Sequence, residues 1–204
     1  MKYEKYYITR KIIIFIILIL SLIDISCSGR RSNKPESDNK ILIDEVKISI
    51  DDFHKAALNG NYEIVVKSIE EGMPVDSMDE SKCTAMMLAA YNGHTEIVRY
   101  LLKNDAFVNH KDINNRTALI YASSGPSNET VKLLIESGAE VNISDSVEGF
   151  TAIMFAGAEG QIEVFKTLLA AGADITLKDK DGETVRDFAL NNGHTEIVKL
   201  IDKN

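Results

Sequence analysis

Tryptophan is absent from the 204 residues, proline occurs three times and cysteine twice. With so few prolines and only 12 glycines there is little to make the turns of an all-β sandwich, whereas the prevailing Ile, Leu, Ala, Glu and Lys suit helices. Two thiols, Cys27 and Cys83, cannot build a disulfide framework or a four-ligand zinc site. Positive charge is also short: 23 Lys+Arg face 31 Asp+Glu, a formal net charge of −8, which disfavours DNA or RNA as a partner. What is present is ordinary for a chain that buries a core, with 45% hydrophobic and 26% charged residues.

One long apolar run exists, from Ile12 to Ile23, behind a basic stretch of Lys2, Lys5, Arg10 and Lys11. A membrane-crossing helix needs about 20 apolar residues, so this run fits the hydrophobic region of an export signal better than a permanent span. Ile25-Ser26-Cys27 comes directly after it and resembles the end of a bacterial lipobox, in which the cysteine is acylated and becomes the new N-terminus. Asp24 stands where the lipobox carries leucine. The resemblance implies lipid attachment at Cys27; an uncleaved signal anchor and a signal cleaved without lipid are the alternatives. All three expect the folded part outside the cytoplasm, and the lipoprotein reading places it at a bacterial envelope membrane facing the periplasm or exterior. Residues 1–26 are accordingly read as the signal and residues 27–45 as a polar tether, since Ser28 to Lys40 has no apolar residue but Pro35. Without residues 1–26 the chain carries 19 basic and 29 acidic groups, a net −10, so the partner is expected not to be anionic.

The rest of the chain repeats. Gly93-His94-Thr95-Glu96-Ile97-Val98 recurs unchanged at Gly193-His194-Thr195-Glu196-Ile197-Val198, which is three periods of 33 plus one residue. On that ruler Thr84, Thr117, Thr151 and Thr184 fall in register, each followed five residues later by an alanine: Ala89, Ala122, Ala156 and Ala189. The extra residue lies in Ser146-Val147-Glu148. Ala56-Ala57-Leu58-Asn59-Gly60-Asn61 fits as a degenerate first copy, with Asp51 in the threonine position. Five copies result, at residues 46–78, 79–111, 112–145, 146–178 and 179–204.

In each copy the threonine, or Asp51, is expected to cap a short helix through its side-chain oxygen, and Gly60, Gly93, Gly160 or Gly193 to close it at positive φ. The alanines lie where neighbouring helices press together and a larger side chain would overpack. A second helix comes next, with Ile97, Val98, Leu101 and Leu102, or Ile162, Val164, Leu168 and Leu169, forming the core. Glycine then ends it and the chain turns through a short extended piece, as in Asp179-Lys180-Asp181-Gly182.

This unit, with its recurring G-H-x-E-I-V, L-L-x-x-G-A-x-V-N and D-x-D-G-x-T elements, resembles the ankyrin repeat over about residues 46–204. The resemblance implies an all-α solenoid of five repeats, each a helix-turn-helix with a β-hairpin finger. The family's T-P-L-H tetrapeptide is replaced here by Thr84-Ala85-Met86-Met87 and its equivalents, so a softer stack is expected where histidine would bridge repeats. Lys82 and Asn115 replace a turn glycine and Pro126 a helix-closing one, which predicts altered loops at all three. Arg186, Asp187, Asp202 and Lys203 give the last copy the polar outer face of a terminal cap.

No convergent catalytic set is legible, and neither a cofactor nor a metal is expected. His54, His94, His110 and His194 come from different layers, two of them at one consensus position. Cys83 sits beside the capping Thr84, with an accessible thiol but no activating base nearby in sequence. The expectation is a non-enzymatic, monomeric module that binds a protein partner on its concave face, built from finger tips and first-helix positions. The candidate contact residues are Tyr91, Ile113, Arg116, Phe150, Glu159 and Glu183, of which Tyr91, Arg116 and Phe150 are types enriched at binding hot spots. A second reading is an accessory or immunity-like lipoprotein that occupies the active site of an exported enzyme or toxin.

Overall fold

A computed structural model of the chain describes residues 48–125 and 127–203. The signal, the tether, Cys27 and Pro126 lie outside the described residues.

Ten helices run through the described residues in five antiparallel pairs. The first of each pair are α1 (Ile50–Asn59), α3 (Ala85–Tyr91), α5 (Ala118–Ser124), α7 (Ala152–Glu159) and α9 (Val185–Asn191). The second are α2 (Tyr62–Glu70), α4 (Thr95–Lys103), α6 (Asn128–Glu136), α8 (Ile162–Ala170) and α10 (Thr195–Ile201). Each first helix packs on the first helix of the next pair, and each second helix on the next second helix, so the pairs stack in register. No strand forms among the described residues; two fingers are drawn together by isolated antiparallel bridges, Met78 with Thr84 and Ser144 with Thr151.

Local chemistry sets the helix ends. Thr84 and Thr117 accept from the amides of Met87 and Ile120, each at 3.4 Å. Thr184 donates its N–H and hydroxyl to Asp187 at 2.8 and 2.7 Å, a capping box that holds the Asp187 carboxyl below the usual carboxylate range. The first copy differs from the expectation: its cap is Ser49, not Asp51, because Ser49 and Asp52 bond reciprocally, Asp52 N to Ser49 Oγ at 3.1 Å and Ser49 Oγ to Asp52 Oδ2 at 2.6 Å. Gly60 and Gly160 end α1 and α7 at φ 77° and 72°. A Cβ at either place would also run into the ring of His94 or His194.

The four repeated alanines are buried to 1% exposure or less, as packing between first helices requires. Met86, Met87, Leu119, Ile120, Ile153 and Met154, which stand where the family carries leucine and histidine, are at most 2% exposed. Their apolar volume fills the layer. In the second helices Ile97, Val98, Leu101, Val164 and Leu168 are buried, while Leu102, Ile162 and Leu169 are half-buried against them.

The loops at Lys82 and Asn115 are not altered. Both residues take left-handed φ, 58° and 62°, beside 83° and 84° for Gly149 and Gly182 at the equivalent place. The finger turn is the same in three copies, where Lys82, Asn115 and Gly182 each donate their N–H to the carbonyl of the aspartate three residues earlier, while the finger at Gly149 is one residue longer; at Lys82 a side chain is held in a conformation L-residues disfavour. At the C-terminal end Arg186 pairs with Asp202 at 2.8 Å, consistent with a polar cap, yet Leu190 of α9 is 54% exposed.

Candidate binding face

Three of the four fingers are built around a buried aspartate at their start, Asp112, Asp145 or Asp179, and the first around the exposed Asp79, whose Oδ1 accepts the Cys83 amide at 2.8 Å. Asp112 Oδ1 accepts the amides of Asn114 and Arg116 at 2.8 and 2.7 Å. Asp145 Oδ1 accepts those of Glu148 and Gly149, both at 2.9 Å, and Asp179 Oδ1 those of Asp181 and Glu183 at 2.9 and 2.8 Å. Each carboxylate thus satisfies the backbone of a tight turn and fixes where the tip residues project. Adjacent fingers are then joined by single backbone bonds: Ile113 N to Ser81 O at 3.0 Å, Ser146 N to Asn114 O at 2.8 Å and Lys180 N to Glu148 O at 2.8 Å. Four fingers lie side by side in a continuous row.

In copies two to four the residue just before the capping threonine forms a rung toward the following copy. Cys83 Sγ lies 3.5 Å from the Tyr121 hydroxyl, which donates to Asp112 Oδ2 at 2.9 Å. Arg116 Nε donates to Asp145 Oδ2 at 3.2 Å. The Phe150 ring sits 5.3 Å from Phe155 and 4.8 Å from Phe188. These positions correct three expectations. Cys83 is buried rather than accessible, and burial pushes its thiol up to about 11, the Tyr121 hydrogen bond offsetting only part of this. Arg116 and Phe150, at 9% and 5% exposure, are not on the open face, because each has a partner of matching chemistry in the neighbouring copy.

The other candidates fall on the surface in different degrees. Ile113 is 57% exposed on its finger tip, Glu159 is exposed at the end of α7, and Glu183 is half-buried, with the Asn191 amide 3.5 Å from its carboxylate. Tyr91 is half-buried and meets Tyr121 edge to face at 6.3 Å. Two exposed side chains on the same row carry no signal in the repeat pattern: Met78 at 45% and Val147 at 38%. Val147 lies in the inserted residue triplet, where the 33-residue register gives no fixed place, and Met78 precedes the finger aspartate at a position that reads as spacer.

Three of the four histidines bond backbone carbonyls, while the half-buried His110 lies 3.4 Å from Asp76. His54 Nε2 donates to the Ser77 carbonyl at 2.9 Å, His94 to that of Leu58 at 3.0 Å and His194 to that of Ala158 at 3.1 Å. The last two, with Asn92 and Asn192 bonding the same carbonyls at 2.7 and 2.8 Å, latch a second helix to the preceding copy. The chain matches the family of ankyrin repeats (three copies) at residues 53–145, 108–179 and 127–204. It belongs to the ankyrin-repeat family. Ankyrin repeats are generic protein–protein interaction modules; on the finger row of this ankyrin-repeat chain Met78, Ile113 and Val147 are exposed, as are Tyr62, Ile64, Phe107 and Leu190 elsewhere on the described surface. A search of the curated proteins found no match to the sequence.

Proposed function

We propose that this ankyrin-repeat chain is a non-enzymatic module that binds a protein partner on the finger and first-helix face while its N-terminal segment tethers it to a bacterial envelope membrane. The observation that carries the binding part is the apolar row Met78, Ile113 and Val147, 45%, 57% and 38% exposed on fingers whose backbones are joined. Exposed apolar side chains held on a rigid scaffold favour association, since burying each releases water from its surface. The tethering part is supported by the basic stretch, the apolar run from Ile12 to Ile23 and Cys27.

Both parts have direct tests. Ile113→Asp combined with Tyr91→Ala should leave helix content intact and abolish co-purification of the partner from host membranes, whereas Glu163→Ala with Lys166→Ala on α8 should not. Equal recovery from both pairs would remove the finger face as the site. For the tether, labelled palmitate should enter the wild-type chain and not Cys27→Ala; unchanged labelling would refute acylation there.

A further inference from the structure

Three Asn-Gly pairs occur in the chain, Asn59-Gly60, Asn92-Gly93 and Asn192-Gly193, and all stand at one place in the repeat, where a first helix ends. Such a pair is open to loss of the asparagine amide, because the glycine nitrogen carries no side chain into its attack on the asparagine Cγ. The backbone is alike in the three. Gly60, Gly93 and Gly193 take φ 77°, 72° and 76°, and each donates its N–H to the carbonyl three residues earlier, at 3.4, 3.1 and 3.1 Å. The asparagine side chains differ. Asn92 Nδ2 donates to the Leu58 carbonyl at 2.7 Å and Asn192 Nδ2 to the Ala158 carbonyl at 2.8 Å, each reaching the preceding copy. Asn59 belongs to the first copy; it is exposed and makes no such bond among the described residues. Asn92 is exposed as well, so access of solvent does not separate the two, whereas the bond to a preceding copy does.

We infer that Asn59 is a site of spontaneous modification, deamidating through a succinimide to aspartate and isoaspartate, while the bonds of Asn92 and Asn192 to the preceding copy hold back the same reaction there. The Gly60 nitrogen gives its proton to water and forms a bond to Asn59 Cγ, and the side-chain nitrogen leaves as ammonia. Water then opens the ring, at Cγ to give aspartate or at the main-chain carbonyl to give isoaspartate. At Asn92 the side chain must first leave the Leu58 carbonyl and forfeit a hydrogen bond before the ring can close. Either product puts a carboxylate at the C-terminal end of α1, where the helix dipole disfavours negative charge. That end carries the Leu58 carbonyl to which both Asn92 and His94 donate, so the modification weakens the joint between copies one and two.

Peptide mapping by mass spectrometry tests this on the full chain in detergent, aged at mildly alkaline pH, with the urea-unfolded chain supplying the intrinsic rate of each pair. The ratio of folded to unfolded rate should be at least about fivefold higher at residue 59 than at 92 or 192. Equal ratios at the three residues, or an Asn59 that stays intact in the folded chain while the unfolded chain converts, would overturn the inference. Asn59→Asp makes the aspartate product directly and should speed hydrogen exchange in α1 by about twofold with α9 unchanged. Unchanged exchange in α1 would overturn the weakening of the joint.

Discussion

Arg116 and Phe150 occupy the same place in successive copies, the residue before the capping threonine, and each reaches into the next copy by a different force. Arg116 does so as a buried ion pair, its Nε 3.2 Å from an Asp145 carboxylate whose other oxygen accepts turn amides. Phe150 does so by ring packing on Phe188, with Phe155 of its own copy packed against the same ring. The difference shows that repeat geometry prescribes a rung between copies but not its chemistry. An apolar rung gains from leaving water, whereas an ionic one must first recover the cost of desolvating two charges and is best judged by the loss of stability when one partner is removed.

The aromatic rung should show the largest single effect. Phe150→Ala deletes a buried ring from between two others and is expected to lower unfolding free energy by about 4 kcal/mol in urea titration. A loss under about 1 kcal/mol would mean that the ring is not part of the joint. The ionic rung comes next: Arg116→Ala strands Asp145 as a buried anion and should cost about 3 kcal/mol. Arg116→Leu together with Asp145→Asn keeps an oxygen for the turn amides and removes both charges, so the double variant should lie within about 1 kcal/mol of wild type. Were it as unstable as the single variant, the pair itself would be net stabilising and the contrast between the two rungs would collapse.

Smaller effects sharpen the contrast at its margins. In the last copy, which has no following copy among the described residues to brace it, the Asp187–Thr184 capping box carries α9. Because the amide and hydroxyl of Thr184 hold the folded Asp187 carboxyl below its unfolded value, the stabilisation is complete above about pH 4 and is lost as pH falls through the folded value. Asp187→Ala should therefore cost about 1 kcal/mol at about pH 7 and have a shallower acid limb than wild type; parallel limbs would contradict the sign. Smallest is Lys82→Gly, which relieves a left-handed lysine at some expense in chain entropy and should stabilise by about 0.5 kcal/mol. Asn115→Gly should gain nothing, since Asn tolerates that conformation and its side-chain amide donates to the Ser144 carbonyl at 2.7 Å.

The stacking of helical pairs was legible because it is a matter of period: the threonines, alanines and glycines at a spacing of 33 mark caps, contact faces and closures wherever they stand. The first cap was not, because the degenerate copy opens at Ser49, two residues ahead of the register. Lys82 and Asn115 suggest altered turns because composition reports which residues prefer a left-handed φ, whereas the aspartate that closes the finger decides whether they must adopt it. The binding face was legible only in outline. Whether a residue at the rung position faces solvent or folds back depends on what the next copy offers, Asp145 to Arg116 and Phe188 to Phe150, and a period along the chain does not encode that pairing. Ile113 is legible as an exposed residue because the tip position has no neighbour to fold back on.

The central claim, that recognition takes place on the finger row while the outer helices remain free, is tested most directly by hydrogen–deuterium exchange on the chain isolated with its bound partner and again after the partner is stripped. The expected result is slower exchange in the bound form at the tip amides of residues 80–83, 113–116 and 146–149, with α4 and α8 unchanged. Protection confined to α4 and α8, with the finger amides exchanging as in the stripped chain, would contradict it.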